Sequence, residues 1–163
     1  YSPSPVLYRM TIGAAVFNGK LYLSWWEAFP TGQTPYQVQV AVFNGNDASP
    51  KWSFVNGNAL YGLNRDPLQT ATSQPQLVVA GGCLYAVWAE ELATAGTAQV
   101  RMARYNGNDV APAWIFVDKG TFGLNYDPVD HGYNPHAVAH NSKLYAFWRE
   151  DFIGSQIRVA VGK

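Results

Sequence analysis

Asn18-Gly19-Lys20-Leu21-Tyr22, followed by Trp25 and Glu27, returns as Gly81-Gly82-Cys83-Leu84-Tyr85 with Trp88 and Glu90. It returns again as Asn141-Ser142-Lys143-Leu144-Tyr145 with Trp148 and Glu150. Copies at steps of about sixty residues make this a repeat protein, and that reading governs every later one. After each Glu comes a loop of varying length and then an alternating run, over residues 37–43, 99–105 and 156–161. An apolar period of two marks strands. The first two copies continue through Asn44-Gly45-Asn46-Asp47 and Asn106-Gly107-Asn108-Asp109, turn chemistry suited to positive φ, into Trp52-Ser53-Phe54-Val55 and Trp114-Ile115-Phe116-Val117.

Each unit thus carries four short strands, A to D, with strand A at 14–17, 77–80 and 137–140 and strand B opening at Leu21, Leu84 and Leu144. No segment places apolar residues at helical spacing over a helical length, and 15 Gly and 10 Pro punctuate the chain, so essentially no helix is expected. The expected fold is all-β, a β-propeller of four-stranded antiparallel blades with about three blades in the chain. A β-trefoil is the competing architecture. Its units are shorter, and three complete ones would fit, whereas here the third unit stops after strand C.

The chain reads as one domain over 1–163, with units at 11–73, 74–133 and 134–163 and no strand D in the last. Tyr1 to Pro5 aligns with the loops at 63–67 and 124–128, so residues 6–10, another chain or a lost portion of this one would supply the missing strand. Three blades alone leave sheet edges open. A homo-oligomer is therefore expected, a six-bladed dimer first.

Composition excludes whole classes of function. With 48% hydrophobic and 13% charged residues the chain is built to fold. Eleven basic residues balance eleven acidic ones without a basic stripe, which argues against nucleic acid, and no apolar run is long enough for a spanning helix. The single Cys83 rules out an intrachain disulfide.

The pattern Leu-Tyr-x-x-Trp-x-Glu, Gln-[Val/Ile]-Arg-Val-Ala, Tyr-Asn-Gly-Asn-Asp, Trp-x-Phe-Val and Gly-Leu-Asn-x-Asp-Pro resembles tandem propeller-like repeats of bacterial extracellular and surface proteins, and it does so over nearly the whole chain. The resemblance implies a secreted or cell-surface location and, by analogy with propeller lectins, carbohydrate binding. The first copy departs from the pattern, with Gln39 where the others have Arg101 and Arg158.

Candidate site residues come from the loops joining strand D to the next strand A, at 56–75 and 118–135, which share a face with the B to C loops. Loops of this length usually carry function. Within them Tyr61, Asn64 and Asp66 match Phe122, Asn125 and Asp127, joined by Tyr126 and Tyr133. Amides, carboxylates and aromatic rings are the groups that recognise sugar hydroxyls and sugar faces. Asn and Asp before Pro also cap their own turns, which is the competing role.

Trp26 is a further stacking candidate, because its counterparts are Ala89 and Arg149. The triplicated Glu27, Glu90 and Glu150 read as cross-strand partners of Gln39, Arg101 and Arg158 rather than as a catalytic pair. No metal site and no cofactor are expected; Ca²⁺ at Asp66 or Asp127 lacks the spaced run of acidic ligands. The expectation is a non-catalytic, lectin-like protein that is no enzyme, with a saccharide or glycoconjugate as partner and repeated sites on the long-loop face. A self-assembling adhesive module is the alternative, and a glycoside hydrolase stands third.

Overall fold

Residues 18–19, 81–82 and 141–142 all have positive φ, which folds each strand A back on strand B through a two-residue turn whose twist matches the strands it joins. The computed structural model describes residues 12–28, 35–57, 62–91, 96–151 and 154–162. Tyr1 to Met10, including the proposed stand-in strand, lie outside them, as does Tyr61.

The first sheet has the order β1 (Gly13–Phe17), β2 (Lys20–Ala28), β3 (Tyr36–Phe43) and β4 (Trp52–Phe54), antiparallel throughout. The second sheet repeats this with β6 (Gln76–Ala80), β7 (Cys83–Glu91), β8 (Ala98–Tyr105) and β9 (Trp114–Phe116). It also gains β5 (Thr70–Ala71), which pairs with the end of β7. The third sheet is β10 (Gly132–His140), β11 (Lys143–Asp151) and β12 (Ser155–Gly162). β10 begins ahead of the boundary expected near residue 134 and carries a register irregularity between Tyr133 and His136. The described residues contain no α-helix, only one 3₁₀ turn at Gly120–Phe122.

The core lies between sheets. Tyr22, Val38, Val40 and Val42 of the first sheet pack on Leu77, Leu84, Ala86, Trp88 and Tyr105 of the second. On the opposite face of the second sheet, Ala80, Val87, Val100 and Met102 pack on Leu144, Ala146 and Trp148 of the third. Because successive side chains alternate sides, each sheet presents one face to the sheet before it and the other to the sheet after it. The β1, β6 and β10 strands lie side by side in contact, placing strand A of each sheet toward a shared line.

One polar tie crosses the first joint at its tight-turn end. Asp109 accepts from Lys20 Nζ at 2.6 Å, Tyr22 Oη at 2.8 Å and Tyr105 Oη at 2.9 Å. Burial opposes ionisation of this carboxyl, yet the three donors outweigh it and hold its pKa below the ordinary value. Among the described residues no helix is long and apolar enough to cross a membrane.

Candidate functional site

The long loops do two jobs at once, gripping the strand of one sheet and latching a carboxylate of the next. In the first, the Leu63 N–H bonds the Val38 carbonyl at 2.7 Å, and Asn64 Oδ1 accepts from Val38 N–H at 2.9 Å. Asn64 Nδ2 donates to the carbonyls of Tyr36 and Gln69, and Gln37 Nε2 donates to that of Pro67. The second loop repeats the grip. The Leu124 N–H reaches the Val100 carbonyl, Asn125 Oδ1 accepts from Val100 N–H, and Asn125 Nδ2 donates to Ala98 and Asp130.

Glycine is required where these loops touch the strand. A Cβ on Gly62 would stand 2.1 Å from the Val38 carbonyl oxygen, and one on Gly123 would stand 2.3 Å from that of Val100. Asn64 and Asn125 are thus buried, with their amides spent on the backbone. Asp66 and Asp127 each accept from the N–H two residues on, the turn-closing bond of an Asx motif.

The latch is made by the repeated Glu. Glu90 is fully buried, and its Oε2 accepts from Trp88 Nε1 at 2.9 Å and from the Arg65 N–H at 3.1 Å; Oε1 accepts from Arg101 Nε at 3.0 Å. Burial pushes the Glu90 carboxyl up, with Arg101 and the other donors pulling against it. Asp118, close to Arg101 and Arg65, is raised by the same cause. Glu150 repeats the latch through Trp148 Nε1 and the N–H groups of Tyr126 and Asp127.

In the first sheet the charged pair is replaced as a unit. Gln39 stands for Arg101, and it bonds Asn56, which stands for Asp118. The Trp-x-Glu spacing, two residues apart and so on one face of a strand, was the sequence signal for the latch.

At the loop end of the third sheet the groups are not all consumed. Tyr126 is 74% exposed, with the Arg158 guanidinium 4.6 Å over its ring. Tyr133 stacks parallel on His131 at 5.4 Å and carries the Arg149 guanidinium at 4.6 Å. Arg149 in turn pairs with Asp151 at 3.4 Å, and Asp151 accepts from the Ser155 hydroxyl at 2.9 Å. Asp130 completes the group, its Oδ2 shielded and without a hydrogen-bond partner among the described residues. Its carboxyl is pushed up by desolvation and then by the charges of Asp127, Glu150 and Asp151, against the pull of Arg158.

Of the residues expected from sequence, Asn125, Tyr126 and Asp127 come together here, with exposed Phe122 earlier in the same loop, while Tyr133 sits with Arg149 on the other face of the sheet. Asn64 and Asp66 belong to the preceding joint. Trp26 lies half-buried with its ring edge-on to Tyr36 at 4.6 Å. Asp130, His131, Arg149 and Asp151 were not expected as site residues, and Arg158 was expected only as the partner of Glu150, because only a fold brings the ends of three strands to one place. Among the described residues no group of three or more His, Cys, Asp or Glu is arranged to hold a metal ion.

No family model matches this sequence, and no curated protein matches it. Solved structures do share its fold. A thermostable family-43 glycoside hydrolase superposes with a TM-score of 0.52 at 13% identity over 93% of this chain and 49% of its own. A protein solved as an RGII complex gives 0.50 at 12% identity over 94% of this chain and 45% of its own. An α-L-arabinofuranosidase from Lactobacillus brevis gives 0.49 at 10% identity, covering 91% and 47%.

The chain thus spans about half the length of the structures it resembles. The expectation that it is no enzyme is corrected by the first of these likenesses. The fold it shares belongs to a glycoside hydrolase and so carries catalysis in at least one protein. What the comparisons establish is an all-β, propeller-type fold of antiparallel sheets.

Proposed function

We propose that this chain is the saccharide-engaging part of a propeller, its three sheets serving as blades, and that the loop end of the third sheet is where the sugar sits. One observation carries the reading: at the loop end of the third sheet the exposed Tyr126 ring lies under the Arg158 guanidinium, close to Asp127 and Asp130, while Tyr133 carries Arg149 on the other face of the same sheet. Aromatic faces stack on sugar rings while charged groups bond the hydroxyls. The carbohydrate-active descriptions of the structures sharing the fold support the same class of ligand. A secreted or surface-exposed location fits a saccharide partner.

A second reading, hydrolysis of a glycosidic bond, is favoured by Asp130. Its Oδ2 has no hydrogen-bond partner among the described residues, and desolvation together with the nearby Asp127, Glu150 and Asp151 pushes its carboxyl up, the direction that suits a group protonating a leaving oxygen.

Ligand-observed NMR with a panel of neutral and acidic oligosaccharides, run beside a panel of aryl glycosides, tests both. Binding should weaken at least about tenfold in Tyr126→Ala and Tyr133→Ala. If turnover is seen, Asp130→Asn should abolish it and leave binding in place. Binding indifferent to both tyrosines would sink the site.

A further inference from the structure

The third sheet leaves bare the face that its two predecessors bury. Val38, Val40 and Val42 of β3 are 0%, 0% and 7% exposed, because the second sheet lies on them. Their counterparts on β12, namely Ile157, Val159 and Val161, are 73%, 55% and 52% exposed. The register matches: Val42 is opposite Tyr22, and Val161 is opposite Tyr145.

The first sheet leaves bare the other half of the same joint. Leu84 and Leu144 are 0% and 2% exposed, each buried against the sheet before it, whereas Leu21 is 38% exposed. Trp25 is half-buried where Trp88 and Trp148 are buried. Contiguous apolar faces of this kind mark sites of association.

We propose that a second copy of this chain fills both faces head to tail, with the β12 face of one copy seated on the β2 face of the other, so that two identical joints close a ring. The occupant follows from continuity with the two joints inside the chain. The two bare faces are the donor and acceptor halves of one repeated interface, and a two-fold pairing satisfies both at once.

The polar tie of the first joint supplies an independent check. There Asp109, in the turn after β8, meets Lys20 and Tyr22 of the sheet before it. Lys143 and Tyr145 occupy the positions of Lys20 and Tyr22, and Asp47 occupies that of Asp109. Head-to-tail docking brings Asp47 of one copy to Lys143 and Tyr145 of the other, with complementary charge.

Sedimentation equilibrium and native mass spectrometry of the 163-residue chain read this directly, and the expected species has twice the 17.9 kDa chain mass. Val159→Asp should leave a monomer that keeps its strand signature in circular dichroism. Asp47→Lys and Lys143→Asp should each raise the dimer dissociation constant about tenfold or more, and the double reversal in one chain should restore it.

Where Val159→Asp does not fold, the charge-reversal set decides alone. A folded chain that stays monomeric to high micromolar concentration overturns the proposal and leaves the faces to further repeats of a longer polypeptide. A dimer indifferent to Val159→Asp and to the charge reversals overturns it in favour of another surface.

Discussion

A carboxylate sealed beside a guanidinium, as Glu90 is beside Arg101, adds little to stability as a pair but costs about 3–5 kcal/mol when one partner is deleted, because the other is left charged and buried. The same asymmetry holds for buried Asp118 beside Arg101, and in the first sheet both are exchanged together for the neutral Asn56 and Gln39, while Glu27, the counterpart of Glu90, stays a carboxylate and is only half-buried. Asp109 gives the residue scale its pH signature. Its folded pKa lies below the unfolded one, so its contribution is present above the ordinary aspartate value near 3.9 and is lost as pH falls through the folded value. Thermal melts should therefore find Asp109→Asn less stable than the parent at pH 6, with the gap closing toward pH 2.5. A gap that stays constant over that range would show that the carboxyl's charge is not what ties the joint. The Glu positions were legible as architecture from their triplication, since Trp-x-Glu puts both side chains on one face. The donors that complete each latch were not legible, because backbone N–H groups of a distant loop leave no trace in composition.

At the scale of the element, the hairpins were open to reading and the long loops were not. Turn residues at 18–19, 81–82 and 141–142 and an apolar period of two place strands A, B and C within a residue or so, β10 excepted. The loops at 56–75 and 118–135 announced their length and their matching Asn and Asp, but not that they hold β5, a 3₁₀ turn and a grip on the preceding strand. Their amides looked equally suited to a sugar and to a turn until the geometry showed them bonded to Val38 and Val100. The grip depends on close approach. Gly123 combines a φ of 60° with a Cβ position 2.3 Å from a carbonyl oxygen, so Gly123→Ala should destabilise by about 1–3 kcal/mol in a denaturant titration. A change under about 0.5 kcal/mol would mean the loop relaxes away from β8 at no cost.

Across the whole molecule, stability is concentrated in the joints rather than in the sheets. Trp88 and Trp148 are buried between sheets while Trp25 is only half-buried. Truncation to Ala should therefore cost about 3–5 kcal/mol at Trp88 or Trp148, and clearly less at Trp25, when measured on the monomer. Equal losses at all three would place the core elsewhere. The repeat revealed this architecture because each copy keeps the same apolar alternation. The patch at the loop end of the third sheet stayed hidden because its residues, Asp130, His131, Arg149, Asp151 and Arg158, are those in which the third copy departs from the other two or which a single strand cannot bring together. The double grip of the long loops carries a last consequence. Among the described residues, the bonds by which the long loops fix one sheet to the next are written within two consecutive units, as in a one-dimensional lattice with nearest-neighbour coupling. A tract duplicated in phase therefore brings a finished joint with it, and a lineage can lengthen or shorten the protein by whole units without redesigning any surface between them.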